Sequence, residues 1–360
     1  MRSFFMKKNS MMKAMLSILV VSFLIVGCGK ASNTKERALT DEPFERTEFL
    51  MGTVVKVTIY NQDKQAALDA AFNRIEELAG LITVDEVDGG SEVEKINEQA
   101  GIKPVQVTDD LYYLLQAAYD YSKSTSGSFD MTIGPITELW HIGFDDARKP
   151  EQSEIDAALT LIDYSKVEFD DEAQTVYLPE KGMRIDLGAI AKGFITDEVV
   201  DVLKEYEVDT AIVDLGGNIY VLGDSARGED VGWNVGIQDP FETRGKIIGS
   251  LVLSNKSIVT SGIYERFIEV DGVNYHHLMN PENGYPFDNE IAGVSVITKK
   301  SIDGDGLSTS LFSKGLKEGM KYVNTLEDVD AIFVTKDKKV YVSDGLKESF
   351  KLTNDDFTLK

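Results

Sequence analysis

Asp305 and Thr309 stand four residues apart in Asp305-Gly306-Leu307-Ser308-Thr309, so on a helix their oxygens share one face. A carboxylate and a hydroxyl placed this way suit a hard cation such as Mg²⁺, which takes oxygen ligands and keeps part of its water. The same spacing fits Asp305 as a plain helix N-cap, and the residues alone leave both readings open. A second stretch, Asp186-Leu187-Gly188-Ala189-Ile190-Ala191-Lys192-Gly193, puts small residues around a helix start. Free amides and the positive dipole end make such a start a natural phosphate site, although close helix packing on a sheet asks for the same residues. The spacing matches neither a P-loop nor a Rossmann fingerprint. Two of the three histidines are neighbours, His276 and His277. On a strand they face opposite sides, so at most one serves a given pocket, either as a general base or as a structural side chain. Finally, Gly127-Ser128-Phe129-Asp130-Met131-Thr132-Ile133-Gly134-Pro135 joins small residues, an aromatic and a carboxylate in one turn, which also reads as a tight loop feeding a strand.

The elements that must position these groups follow from periodicity. Leu68, Ala71, Phe72, Ile75, Leu78 and Ile82 recur at helical spacing over 64–82. Thr108-Asp109 caps a second predicted helix with Leu111, Leu114, Leu115 and Ala118 on its apolar face. A short helix is expected over 152–162, a strand pair around 166–178, and helices near 189–206 and from about 306 to 324. Strands are expected at 51–60, 210–215, 219–222 and 293–298, with hairpins over 266–279 (around Asp271-Gly272) and 330–343. Hairpins mixed with helices, without βαβ alternation, predict an α+β body with largely antiparallel sheets.

The formal net charge of -24 disfavours nucleic acid and anionic lipid headgroups as partners, so an anionic ligand must be held by local amides, cations or a metal. The first 28 residues differ from the rest. Arg2, Lys7, Lys8 and Lys13 precede an apolar run, Met15 to Val26, that ends in Ile25-Val26-Gly27-Cys28. This reads as a secretory leader (1–27) resembling a bacterial lipobox, with Cys28, the chain's one cysteine, as the lipidated residue. The expectation is an exported bacterial lipoprotein held on the outer face of the cytoplasmic membrane or in the periplasm. Residues 28–45 are polar and aperiodic and read as a tether, leaving 46–360 as the folded domain.

Taken in order, MGT at 51–53, SEVEKIN at 91–97, GSFDMTIGP at 127–135, DLGAIAKGF at 186–194, DLGGNIYVLG at 214–223, WNVGIQDP at 233–240, TSGIYERF at 260–267, HHLMNPENGYP at 276–286 and DGLSTSLFSKG at 305–315 resemble the ApbE family of FAD:protein FMN transferases. The resemblance covers nearly all of the chain after the tether. It implies a T-fold-related α+β body, in one piece or as two lobes, with FAD in a cleft. It also implies Mg²⁺-dependent transfer of FMN from FAD to a Thr or Ser hydroxyl, with release of AMP. Acceptors of the family are often flavoproteins of membrane-associated electron transfer.

Carried over by position, Met51, Ser128, Phe129, Asp130, Asp186, Lys192 and Leu278 would contact FAD. The carbonyl of Ala189 and the side chains of Asp305 and Thr309 would hold the metal, with Ser308 a further candidate. His277 matches the family's motif histidine by its register with Leu278-Met279-Asn280-Pro281, and would act as base together with Asp305. Two departures stand out: the 84–90 segment lacks the aromatic common in the family, and Asn280 replaces a common Asp. The same residues admit two other functions, an FAD pyrophosphatase with water as acceptor and a non-catalytic flavin-binding lipoprotein. Covalent FMN on a protein separates the first from transfer; binding without metal or turnover marks the second.

Overall fold

Residues 38–83 and 90–360 are described by a computed structural model. The leader, Cys28, most of the tether and the aromatic-lacking segment 84–89 lie outside the described residues.

The alternation Val55, Val57, Ile59 makes one face of a strand fully apolar, and those three side chains are buried in strand β2 (Thr53–Asn61). Its partner, β1 (Leu39–Leu50), pairs antiparallel with it down to Leu50↔Thr53. The strand expected from residue 51 therefore starts two residues later, because Met51 and Gly52 form the turn, both at positive φ (53° and 67°) as a type I′ hairpin requires. The tether boundary shifts as well: residues 39–45 belong to β1 and so to the folded body.

The main sheet has nine strands and is antiparallel throughout except at one edge. From β1 and β2 it continues through β6 (Ala211–Leu215) and β7 (Asn218–Leu222), joined by the Gly216-Gly217 turn. It then runs through β10 (Lys256–Gly262), β13 (Ile291–Thr298), β14 (Asp330–Thr335) and β15 (Lys339–Val342), and ends on the short parallel strand β17 (Thr358–Leu359). Small sheets add β3 (Val105–Gln106), β4 (Glu168–Asp170) and β5 (Thr175–Tyr177), then β8 (Trp233–Gln238), β9 (Ile247–Leu253) and β16 (Lys351–Leu352). The hairpin β11 (Phe267–Val270) and β12 (Val273–His276) stands apart, turning at Asp271-Gly272.

Helices α1 (Gln65–Ile82), α3 (Asp109–Ser124) and α6 (Ala191–Glu205) pack their apolar stripes on Val55, Val57, Ile59, Val213 and Leu215. Strands β8 and β9 cover the opposite face through Trp233, Ile237, Ile248 and Leu251 against Ile258 and Ile332. Helix α7 (Ser301–Val323) seats Leu311 and Phe312 on Val294, Val296 and Phe333. The short helices α2 (Glu92–Glu98), α4 (Gly134–Trp140) and α5 (Gln152–Leu159) complete the element order. Residues 39–360 form one compact unit, not two lobes. Among the described residues no helix is long and apolar enough to cross a membrane.

Candidate functional site

Helices α6 and α7 start beside each other, and each caps the other. Asp197 of α6 accepts the Ser301 and Ile302 amides at 2.7 and 3.0 Å, so α7 begins at Ser301, five residues earlier than its sequence predicts. In return Asp305, buried inside α7, accepts the Gly193 amide at 2.7 Å. Asp305 is therefore no cap of its own helix; it satisfies one of the orphan amides at the start of α6. The consequence falls on Ala189. Its carbonyl would be the i−4 partner of Gly193, and with that amide bonded elsewhere no described residue donates to it. The Lys192 ammonium lies 3.6 Å from the second Asp305 oxygen. One turn along, the Thr309 hydroxyl has no hydrogen-bond partner among the described residues, whereas Ser308 is engaged with the Asp305 carbonyl and Ser261.

No cluster of three His, Cys, Asp or Glu suited to a metal occurs among the described residues. The set at hand is instead one carboxylate, one free carbonyl and one free hydroxyl. That set fits a hard cation that completes its shell with water and substrate phosphates, the usual habit of Mg²⁺.

His276 ends β12 and His277 is the next residue, and the two do different work. His276 is buried: Nε2–H donates to the Phe287 carbonyl at 2.9 Å, Nδ1 accepts the Leu278 amide, and the ring meets Phe312 edge-on. His277 is half-buried, and both its amide and its Nδ1 point at the Arg266 carbonyl, at 3.1 and 3.3 Å. A carbonyl only accepts, so Nδ1 carries the proton and Nε2 keeps the lone pair. Burial pushes the His277 imidazole down to about 4, and the charges of Arg266 and Lys192 act in the same direction. The ring is thus neutral at physiological pH.

Arg266 also ties the site together, its guanidinium donating to the Gly52 carbonyl in the Met51-Gly52 turn at 3.2 Å. Its neighbour Glu265 is solvent-accessible yet hemmed in by protein; that confinement raises its carboxyl, against the pull of Lys192, Arg244 and Arg266. TSGIYERF is visible in the sequence as a block, but nothing in its spacing assigns roles to Glu265 and Arg266; the place of Arg266 depends on contacts with residues 52 and 277.

The Gly127–Pro135 loop is held internally. Asp130 is buried, which raises its carboxyl, and it accepts from the Thr132 amide and hydroxyl at 2.8 and 2.7 Å. Phe129 packs in the core against Tyr121, and the half-buried Ser128 donates to the Thr125 carbonyl. Asp186 joins this loop to the α6 start: its amide bonds to the Met131 carbonyl, and its carboxylate accepts from Thr137 and from the Gly188 amide. Leu278 is buried with both backbone groups engaged, by His276 and the Phe287 amide. Met51 is half-buried at its turn.

Comparison with known proteins agrees with this architecture. The model of the ApbE family matches residues 51–333. A relative from Klebsiella pneumoniae (strain 342), named FAD:protein FMN transferase, is 39% identical over 82% of this chain and 90% of its own. A Treponema pallidum protein of the same name is 34% identical over 98% and 99%. Among solved structures, the ApbE protein of Thermotoga maritima superposes with a TM-score of 0.77 at 30% identity, over 85% of this chain and 98% of its own. The flavin transferase ApbE from Vibrio cholerae gives 0.75 at 25%, over 86% and 99%. With a family model spanning most of the folded body and relatives matched nearly end to end, the chain belongs to the ApbE family.

Proposed function

We propose that this enzyme moves FMN from FAD onto a Thr or Ser hydroxyl of acceptor proteins and releases AMP. The observation that carries the reading is His277, neutral and fixed in the tautomer that offers Nε2, and near enough to the Lys192 of the Lys192–Asp305 pair to feel its charge. Names of the relatives support flavin transfer; the metal, the hydroxyl acceptor and the leaving AMP rest on the chemistry of the site.

In this mechanism His277 Nε2 takes the acceptor hydroxyl's proton as the oxygen bonds to the flavin-side phosphorus. The bond from that phosphorus to the bridging oxygen breaks, and AMP leaves. Lys192, at the amide-rich start of α6, faces the phosphates. Asp305, Thr309 and the Ala189 carbonyl would hold Mg²⁺, which when bound supplies charge neutralisation for a pyrophosphate in an otherwise acidic protein. Met51, Ser128, Phe129, Asp130, Asp186 and Leu278 are the proposed flavin-nucleotide contacts. With Phe129 in the core and Asp130 held by Thr132, these two would shape the loop from behind.

The leader and Cys28 support export and lipid anchoring beside membrane-associated electron-transfer flavoproteins. Loss of fatty-acid labelling in Cys28→Ala would support the anchor; undiminished labelling would refute it. The catalytic test incubates the full-length chain with FAD, Mg²⁺ and a candidate acceptor and reads the acceptor's intact mass. An FMN-sized gain that EDTA abolishes is expected. Free FMN and AMP beside an unmodified panel of acceptors would favour the pyrophosphatase reading.

A further inference from the structure

Arg266 stands directly opposite His277. Strands β11 and β12 pair Phe267 with His276, and the bond from the His277 amide to the Arg266 carbonyl carries that register one step further. Residues opposite each other in an antiparallel pair project to the same face, with their Cβ atoms about 5 Å apart. The guanidinium and the imidazole therefore leave the chain side by side, on the face away from His276 and Phe267. The Arg266 side chain is laid against two glycines. A methyl added to Gly143 would come within 3.0 Å of its Cδ, and one on Gly52 within 3.3 Å of a terminal nitrogen. The stem is held, yet the fork is not used up. A guanidinium has about five N–H donors, and the only bond this one makes among the described residues goes to the Gly52 carbonyl. No carboxylate lies within 4.0 Å of it among the described residues, although the chain carries 61 Asp and Glu, and the side chain is open to solvent.

We propose that Arg266 is a further catalytic residue: its unused donors bind the two non-bridging oxygens of the flavin-side phosphate while His277 takes the acceptor's proton. This role rests on the transferase reading. As the acceptor oxygen bonds to that phosphorus, its proton passes to Nε2, and the bridging oxygen leaves with AMP. Until that bond breaks, negative charge gathers on the non-bridging oxygens. A guanidinium suits the position because it stays charged and meets a phosphate with two parallel N–H bonds. In a chain of net charge -24 the general field repels that charge, so a cation fixed beside the base must offset it locally. An ammonium can match the charge but not the fork.

The test uses the full-length chain with FAD, Mg²⁺ and an acceptor protein, and reads FMN on the acceptor and free FMN by mass. Arg266→Ala should lower kcat at saturating FAD by about 10³-fold, while FAD affinity, read by flavin fluorescence, changes far less. Free guanidinium ion should restore part of that rate, and none of the rate lost in His277→Gln. Arg266→Lys keeps a charge and a donor for the Gly52 carbonyl, so it should hold the wild-type melting temperature and still lose about tenfold or more in kcat. Undiminished kcat in both variants would overturn the proposal. A loss confined to the KM for FAD and the melting temperature, with no response to guanidinium, would reduce Arg266 to a tie for the Met51–Gly52 turn and overturn it equally. Wild-type enzyme that releases FMN and labels no acceptor would count against the transferase reading alone. The same phosphorus–oxygen bond breaks in that case, so the two variants would still decide the role of Arg266 from the rate of FMN release.

Discussion

A histidine that works as a base must be neutral at the working pH and must aim a lone pair at its target. His277 meets both conditions through one partner, the Arg266 carbonyl, and through burial. His277→Gln should lower FMN transfer by roughly 10²–10⁴-fold, the usual worth of a general base, with little change in FAD affinity. The acid limb of kcat/KM should fall near pH 4 and not near the 6.5 of a free imidazole. A limb at 6.5 would mean that the ring is not desolvated in the working enzyme. Thr309 offers a cleaner probe of the proposed Mg²⁺ site than Asp305, because it has no internal partner to lose. Thr309→Ala should leave the melting temperature unchanged and raise the Mg²⁺ concentration for half-activity about tenfold. Asp305→Asn should cost both stability and activity, since Asp305 also caps α6. Spacing suggested the Asp305–Thr309 pair from the sequence alone. It could not show that Asp305 reaches Gly193, 112 residues away.

Element boundaries were legible where a stripe of side chains was buried by its own periodicity, and illegible where a distant group set them. Helices α1, α3 and α6 stand where their 3.6-residue patterns put them. The first part of strand β1, 39–45, reads as tether because Thr40, Asp41, Glu42 and Glu45 are polar, as befits an edge strand with a solvated face. The start of α7 was hidden because its cap is Asp197 on another helix, and because Gly304 and Gly306 look like loop. The close crossing of α6 on α7 explains one of the glycines in DLGAIAKGF. A methyl on Gly193 would lie 2.5 Å from the Ser301 carbonyl oxygen and 2.7 Å from Ile302 Cα, both backbone atoms. Gly193→Ala should therefore destabilise by about 1–3 kcal/mol and misplace Lys192 and Asp305, with a matching loss of transfer. Gly80, in α1, has open space around it, so Gly80→Ala should stabilise by roughly 0.5–1 kcal/mol. Urea midpoints of the two variants should move in opposite directions.

At the scale of the whole molecule, pH acts on several buried groups of opposite sense. Burial holds His276 at about 4, so between pH 6.5 and 4 the unfolded chain binds more protons than the folded one. That group makes stability fall as pH drops through this window, by up to about 3 kcal/mol for a shift of this size. Burial also raises Asp197 to about 6, with the same direction at Asp130, Asp214 and Glu265. Those carboxyls take up protons in the folded state first, so each makes stability rise as pH falls, Asp197 from about 6 downward. Acidification further relieves the self-repulsion of a chain with net charge -24. The wild-type curve is therefore a sum of opposing slopes and comes out flatter than any one group implies, which is why composition alone gives no guide to it. A difference measurement isolates the histidine. His276→Gln removes the Phe312 contact and part of the Phe287 and Leu278 hydrogen bonding, so it should be less stable than wild type at pH 7. Its deficit should shrink steadily between pH 6.5 and 4.5, because His277 titrates alike in both chains and only the wild type also carries His276, which must stay neutral to fold. A deficit independent of pH, read from urea unfolding at both ends of that range, would mean that His276 folds with its ordinary protonation.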